Sequence, residues 1–369
     1  MGKRKPVLRE ILSAAVFLVV VIGLFILNIV APKPSILVAE RRIPAKFPEL
    51  SPETIASGSF MSKLNGYAAD NFVFRDAFRS IRAFTVFDLF MQTDKNGLYF
   101  DAKGAGEFKP VNPGSVEQAA GKIITIADGL GDMDIYYAFI PDKSMYSDKN
   151  LPGFDPVLTE KLLTGRPGME RYTFIGLTDE LDADSFYGTD FHWNQVRLGG
   201  VLGSLGAAMG FNVDLSNRSE EYAEEFQGIY AGQLALPLGT DSLYYYPCPY
   251  LTAQYLNERT MEMEAGPVYD WKKFTGLDAY DFFLSGAQPL IILENEDAGH
   301  GRELYLFRDS FASSLAPLLA GAYSRVVLID LRYIDMRTVG RYVEFKPGSD
   351  ALFLYSTQIL NNADKLLVR

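Results

Sequence analysis

The pattern of hydrophobic and polar positions begins with an unbroken apolar run. Between Glu10 and Lys33 lie 22 residues without a formal charge, rich in Val, Leu, Ile and Phe. At a rise of about 1.5 Å per residue they match the roughly 30 Å hydrocarbon core of a bilayer. Lys3, Arg4, Lys5 and Arg9 precede the run, which by the positive-inside rule keeps the amino terminus cytoplasmic and sends the rest outside. The expected layout is a basic tail at 1–10, a signal anchor at 11–31, an extended stem at 32–50 punctuated by Pro32, Pro34, Pro44 and Pro48, and an exported domain at 51–369. A cleaved signal peptide is the rival reading; against it stand the length of the run and the placement of Pro32 directly after Ala31. A buried soluble helix would show a polar face, and none interrupts the run.

Past the stem, Ser51-Pro52-Glu53 reads as an N-cap followed by proline at the first helical position. A second helix carrying Phe72, Phe78, Ile81, Phe84, Val86, Phe87 and Phe90 is expected to be broadly buried. After residue 92, short apolar runs alternate with helical periodicity. Strands are expected at 97–100, 135–140, 172–175, 290–293, 303–307, 325–329 and 351–355, and helices at 115–130, 156–164, 194–209, 311–320 and 335–343. That alternation predicts one α/β domain, a mostly parallel sheet flanked by helices on both faces. The stretch 211–285, rich in Tyr and Gly, follows neither period and reads as an insertion.

Composition narrows the chemistry. Of the 369 residues 48% are hydrophobic and 22% charged, which suits a globular body. The net charge is −11 and the few basic clusters lie near the amino terminus, so nucleic acid is excluded as the main partner while sugars are not. The single cysteine, Cys248, rules out an intrachain disulfide and a cysteine-cluster metal site, and two histidines rule out a multi-histidine zinc site. With no Gly-rich phosphate loop visible either, no metal or cofactor is expected.

Imidazole chemistry must run through His192 or His300. His300 sits among Gly299, Gly301 and Arg302 and reads as a non-catalytic turn residue. His192 stands in Thr189-Asp190-Phe191-His192-Trp193, where in an extended segment Asp190 would share its side. A carboxylate beside an imidazole fixes its tautomer and makes it a general base; the plainer alternative is a histidine that orders a loop. The second constellation is Leu304-Tyr305-Leu306-Phe307-Arg308-Asp309-Ser310-Phe311, an apolar strand ending where a helix begins. A serine there stands at the carboxyl edge of a sheet beside the free N–H groups of a helix start. Ser310 or Asp309 as a simple N-cap remains the alternative.

Asp190-Phe191-His192-Trp193 resembles the motif of the bacterial DHHW family, which is related to the SGNH-hydrolase-like alginate O-acetyltransferases, and Arg308-Asp309-Ser310-Phe311 resembles their Gly-Asp-Ser-Phe nucleophile segment. Shorter matches follow in order: Glu40-Arg41-Arg42, Phe47-Pro48, Phe72-Val73-Phe74-Arg75-Asp76, Pro141-Asp142-Lys143, Phe283-Leu284-Ser285-Gly286 and Asp330-Leu331-Arg332-Tyr333. The resemblance implies an SGNH-like fold, with Ser310 as nucleophile, His192 as base and Asp190 as its orienting partner. It further implies oxyanion donors at Phe311 and, more weakly, Gly286. Trp193 would stack on sugar or brace His192, and Arg332 and Tyr333 would line the same edge. The implied activity is O-acyl transfer, acetyl by family, to a cell-envelope exopolysaccharide, beside a multi-spanning membrane-bound O-acyltransferase. A carbohydrate esterase with the same triad and an inactive glycan-binding scaffold are the alternatives. Two positions depart from the family pattern: Arg308 replaces its glycine and Phe191 its first histidine.

Overall fold

The computed structural model describes residues 8–149, 153–295, 297–298 and 301–368. Lys3, Arg4, Lys5 and His300 lie outside the described residues. Two compact units emerge, 1–92 with 232–236, and 93–231 with 237–369. The helical stretch 51–92 therefore groups with the apolar segment.

In the first unit, Leu8–Val30 is a single helix of 23 residues with none buried, a candidate membrane span or signal sequence. The stretch 32–50 is tied to this unit at Arg42 and Ala45. Arg42 forms a two-pronged pair with Asp70 at 2.6 and 2.5 Å, and the Ala45 N–H donates to the same carboxylate at 2.8 Å. These bonds hold Asp70 down to a pKa of about 2, Arg42 contributing most. Ser51 caps the helix Pro52–Ala56, its Oγ accepting from the Thr54 N–H at 3.3 Å. Helices Ser59–Asp70 and Arg75–Phe84 follow, the latter running into a π turn at Thr85–Leu89. The expected burial of this region is found only at Phe87: Phe72, Phe78, Ile81, Phe84 and Phe90 are exposed and Val86 is half-buried.

The second unit is built on a sheet. Its strands are β1 Leu98–Asp101, β2 Gly104–Glu107, β3 Asp134–Ile140, β4 Thr173–Phe174, β5 Glu221–Phe226, β6 Asp241–Tyr245, β7 Leu251–Asn257, β8 Glu262–Gly266, β9 Leu290–Asn295, β10 Glu303–Arg308, β11 Arg325–Ile329 and β12 Asp350–Ser356. Eight of them form one sheet in the order β4-β3-β12-β10-β11-β9-β7-β8. The stretch from β4 to β11 is parallel; β9 joins β11 antiparallel, and β7 and β8 continue antiparallel. The turnaround at β9 has a physical cause: residues 296–302 are too few for the crossover that a parallel neighbour needs. The stretch 211–285 supplies β7 and β8 to this sheet and pairs β5 with β6 separately, while β1 and β2 form a third, two-stranded sheet.

Alternation of side chains along the central strands divides the core in two. Leu304 and Leu306 of β10, Val326 and Leu328 of β11 and Leu352 and Leu354 of β12 face helices Gly199–Met209 and Ala312–Leu319. Tyr305 and Phe307, Val327 and Ile329, and Phe353 and Tyr355 face helices Pro113–Ala127 and Pro156–Thr164. With both faces covered, β10 is buried along its whole length, and its carboxyl end is fixed in the middle of the parallel stretch.

Candidate active site

Ser310 is the second residue after β10 and stands two residues before the helix Ala312–Leu319. Asp309 locks this junction: one carboxylate oxygen accepts from the Phe311 N–H at 3.1 Å and the other from the Ser356 N–H at 2.7 Å, joining the turn to the end of β12. Glycine is not needed here, because Arg308 lies within β10 and the positive-φ residues do not include it. Its side chain is fully buried beneath the turn, where the guanidinium donates to Asp309 O and Ser313 Oγ, both at 3.2 Å. Asp330 lies 3.9 Å away.

His192 arrives from an irregular loop. Phe186 and Trp193 form an isolated antiparallel bridge, closed further by the Tyr187 N–H donating to His192 O at 3.1 Å. Asp190 and His192 meet through a turn rather than along an extended strand: Asp190 Oδ1 accepts from the His192 backbone N–H at 3.2 Å and lies 2.8 Å from Nδ1. The other carboxylate oxygen accepts from the Ile229 N–H at 3.2 Å. His192 Nε2 is 2.9 Å from Ser310 Oγ. An ionised Asp190 can only accept, so Nδ1 carries the ring proton and Nε2 is left to take one from the serine hydroxyl. Asp190 and His192 are buried and Ser310 is partly exposed, so the chain of polar groups opens toward solvent at the serine.

Other expected site residues fall differently. Trp193 is fully buried and its Nε1–H donates to Phe311 O at 2.8 Å and Ser314 Oγ at 3.0 Å, so it braces the helix start and offers no face to a sugar. The Phe311 N–H is taken by Asp309, and the Gly286 N–H donates to Phe283 O at 3.2 Å within a left-handed turn. Both expected oxyanion donors are therefore engaged locally, because each sits in a turn that supplies its own acceptor. Ala312 and Ser313 N–H donate to Asp309 O and Ser310 O, so among the described N–H groups of residues 310–313 the Ser310 N–H is the one without such a bond. Arg332 is paired with buried Asp330 at 2.8 and 2.5 Å and lines a cleft of about 400 Å³ with Gln358, Asn361 and Lys365. Tyr333 is exposed, its ring 5.1 Å from the Arg332 guanidinium carbon.

Three supporting residues were not singled out as site residues from sequence. Tyr280 stacks flat on the His192 ring, centroids 3.7 Å apart and planes 5° from parallel, and its hydroxyl lies 2.7 Å from Ser314 Oγ. Burial pushes that hydroxyl far above its ordinary pKa, so it stays protonated. Lys143 is buried where its ammonium donates to Tyr187 O at 2.6 Å and Asp190 O at 3.1 Å. Asp241 of β6 accepts from the N–H groups of Gly188 at 2.6 Å and Thr189 at 2.7 Å. Lys143 ends the Pro141-Asp142-Lys143 match directly after β3, a signal at hand; Tyr280 and Asp241 fall in the stretch without periodicity.

A serine, histidine and aspartate joined by short contacts at the carboxyl end of a central parallel strand define a class of α/β protein, and the fold is SGNH-hydrolase-like. The chain is similar in structure to a DHHW family protein from Eubacterium siraeum DSM 15702, with TM-score 0.60 and 18% identity over 74% of this chain and 95% of that one. Bacillus cereus PatB1 with a sulfonyl adduct matches with TM-score 0.56 and 17% identity over 72% of this chain and 95% of that one. The O-acetyltransferase domain of Pseudomonas putida AlgJ lies further off, at TM-score 0.43 and 11% identity over 72% of this chain and 93% of that one. By sequence, no family profile and no curated protein matches the chain.

Proposed function

We propose that residues 93–231 and 237–369 form an acyltransferase that moves an acyl group, acetyl by the motif resemblance, onto a hydroxyl of a cell-envelope polysaccharide. The observation that carries this reading is the relay from Asp190 through His192 to Ser310, with contacts of 2.8 and 2.9 Å. Ser310 Oγ attacks the donor carbonyl while His192 Nε2 takes its proton. The oxyanion faces the Ser310 N–H, and its collapse expels the leaving group, which receives the proton from His192, leaving acyl-Ser310. A sugar hydroxyl then gives its proton to His192 and attacks the ester; the acyl group passes to the sugar and Ser310 regains its proton. The apolar helix serves as a retained anchor with the sheet unit outside the cell, and a multi-spanning O-acyltransferase in the same membrane supplies the donor.

The purified full chain, treated with a sulfonyl fluoride and separately with a chromogenic acetyl ester, tests the proposal. Sulfonylation at Ser310 and ester turnover, both lost in Ser310→Ala, are expected. Turnover that survives in Ser310→Ala would overturn the nucleophile assignment. Product analysis with and without a glycan acceptor then separates transfer from hydrolysis by the same triad. The contact between His192 and Ser310 favours the enzyme reading over an inactive glycan-binding scaffold.

A further inference from the structure

The helix Arg75–Phe84 in the first unit is amphipathic the wrong way round for a soluble protein. Its charged side faces inward: Arg75 pairs with Glu40, and Arg79 lies 3.2 Å from Glu40 and donates to Gly232 O at 2.8 Å and Gln233 O at 3.1 Å, in the segment grouped with this unit. Ala83 on that side is fully buried. Its apolar side faces out, with Phe74 63%, Phe78 47% and Ile81 61% exposed at helical spacing. Phe72 and Phe84 extend the stripe and Phe90 closes it beyond the π turn. Contiguous exposed apolar surface of this kind marks an interaction site.

The position of the stripe says what covers it. The Val73 N–H donates to Asn28 Oδ1 at 2.9 Å, and Lys33 Nζ donates to Asn71 O at 3.3 Å. Asn28 is two residues from the end of the helix Leu8–Val30, so residues 71–73 are pinned beside its last turn. Phe72, Tyr67 and Phe47 line a groove with Val21, Leu24 and Phe25 of that helix. If the helix spans a bilayer, the aromatic stripe begins at the depth where hydrocarbon gives way to headgroups, the level at which aromatic side chains settle and interfacial helices bury their apolar face.

We infer that this stripe lies in the outer interface of the lipid bilayer, making the first unit a membrane-seated collar around the anchor. The inference rests on the proposed membrane span. The seat holds the anchor at a fixed depth and orientation rather than leaving it a swivelling tether.

The test uses the full chain in nanodiscs of phosphatidylcholine and phosphatidylglycerol, with an environment-sensitive fluorophore on Phe78→Cys, on Asp76→Cys two residues away and about 200° round the same helix, or on Ile22→Cys in the middle of the anchor. Cys248 is buried and stays unlabelled. Spin-labelled lipids report depth. Headgroup-proximal labels should quench the Phe78 probe at least about twofold more than the Asp76 probe, and deep labels should quench the Ile22 probe. If the Ile22 probe is quenched but the Phe78 probe matches Asp76, the span stands and the inference falls, and a multi-spanning protein becomes the better occupant of the stripe. If the Ile22 probe is unquenched as well, the span itself is wrong.

Discussion

The two arms of the serine–histidine contact are held in different ways. Ser310 stands on a backbone: β10 is bonded on both sides by parallel strands, and the turn after it is fastened to the Ser356 N–H. His192 stands on a loop with no such ladder, and side chains from four places position it: Lys143 after β3, Asp241 in β6, Tyr280 against the ring, and Asp190 itself. A sheet distributes its hold over many bonds, whereas a loop clamped by single side chains depends on each of them. Removing a supporting side chain should therefore cost more on the histidine arm than on the serine arm.

The largest effect is expected where the support is also chemical. Asp190→Asn keeps the shape of the loop but offers an amide in place of the acceptor that fixes the His192 tautomer, so ester turnover should fall by roughly a thousandfold or more. A loss under tenfold would mean that the loop alone orients the ring. Lys143→Met comes next, with turnover reduced by about tenfold through the released Tyr187 and Asp190 carbonyls. This lysine also leaves a mark in pH. Burial lowers its pKa to about 8 from 10.5, against the pull of Asp241, Asp190 and Asp142. Between those values the unfolded chain binds more protons than the folded one, so the contribution of Lys143 to stability rises with pH across that window and is least favourable below it. Melting temperatures of wild type and Lys143→Met at pH 7 and pH 9.5 should diverge in favour of wild type at the higher pH; a constant difference would mean that burial does not lower the pKa of this amine.

Tyr280 should act more mildly and in a recognisable way. Tyr280→Phe keeps the stacked face and loses the hydroxyl's bonds to Ser314 Oγ and Phe311 O, so activity should stay within about threefold, while Tyr280→Leu loses the face that steadies an imidazolium and should cost about tenfold. The readout that separates positioning from mere packing is the His192 imidazole resonance by NMR, which should broaden in the leucine variant and stay sharp in the phenylalanine variant.

How much of this was legible in sequence follows the same division. The serine arm was written in an apolar run ending at Arg308-Asp309-Ser310, where a buried parallel strand and a helix start each leave a local pattern. The histidine arm showed Asp190 and His192 by residue type, but the turn that joins them and the partners that clamp it have no periodicity. Tyr280 and Asp241 lie more than 45 residues from His192 in a Tyr- and Gly-rich stretch, and only the fold brings them back. The reversed amphipathicity of Arg75–Phe84 was misread as burial for a related reason: a hydrophobic stripe tells which side avoids water, not whether protein or lipid covers it.

Arg308 offers the smallest expected effect and the sharpest check on the comparison. It sits directly beneath the Ser310 turn, fully buried, where the family resemblance has glycine, and burial lowers its pKa despite Asp330 nearby. Its bonds to Asp309 O and Ser313 Oγ are 3.2 Å long, its Nε has no partner, and Asp330 is 3.9 Å away but held at 2.5 Å by Arg332. Removing Arg308 therefore does not strand the Asp330 carboxylate, and an unbranched apolar side chain of similar length would lift the cost of a desolvated charge. Arg308→Met should change stability by only about 1 kcal/mol and leave ester turnover within about threefold, because β11, β12 and Asp309 still hold Ser310. A fall of a hundredfold with the melting temperature unchanged would break the comparison. It would mean that the guanidinium, and not the sheet, sets the charge felt by the oxyanion at Ser310.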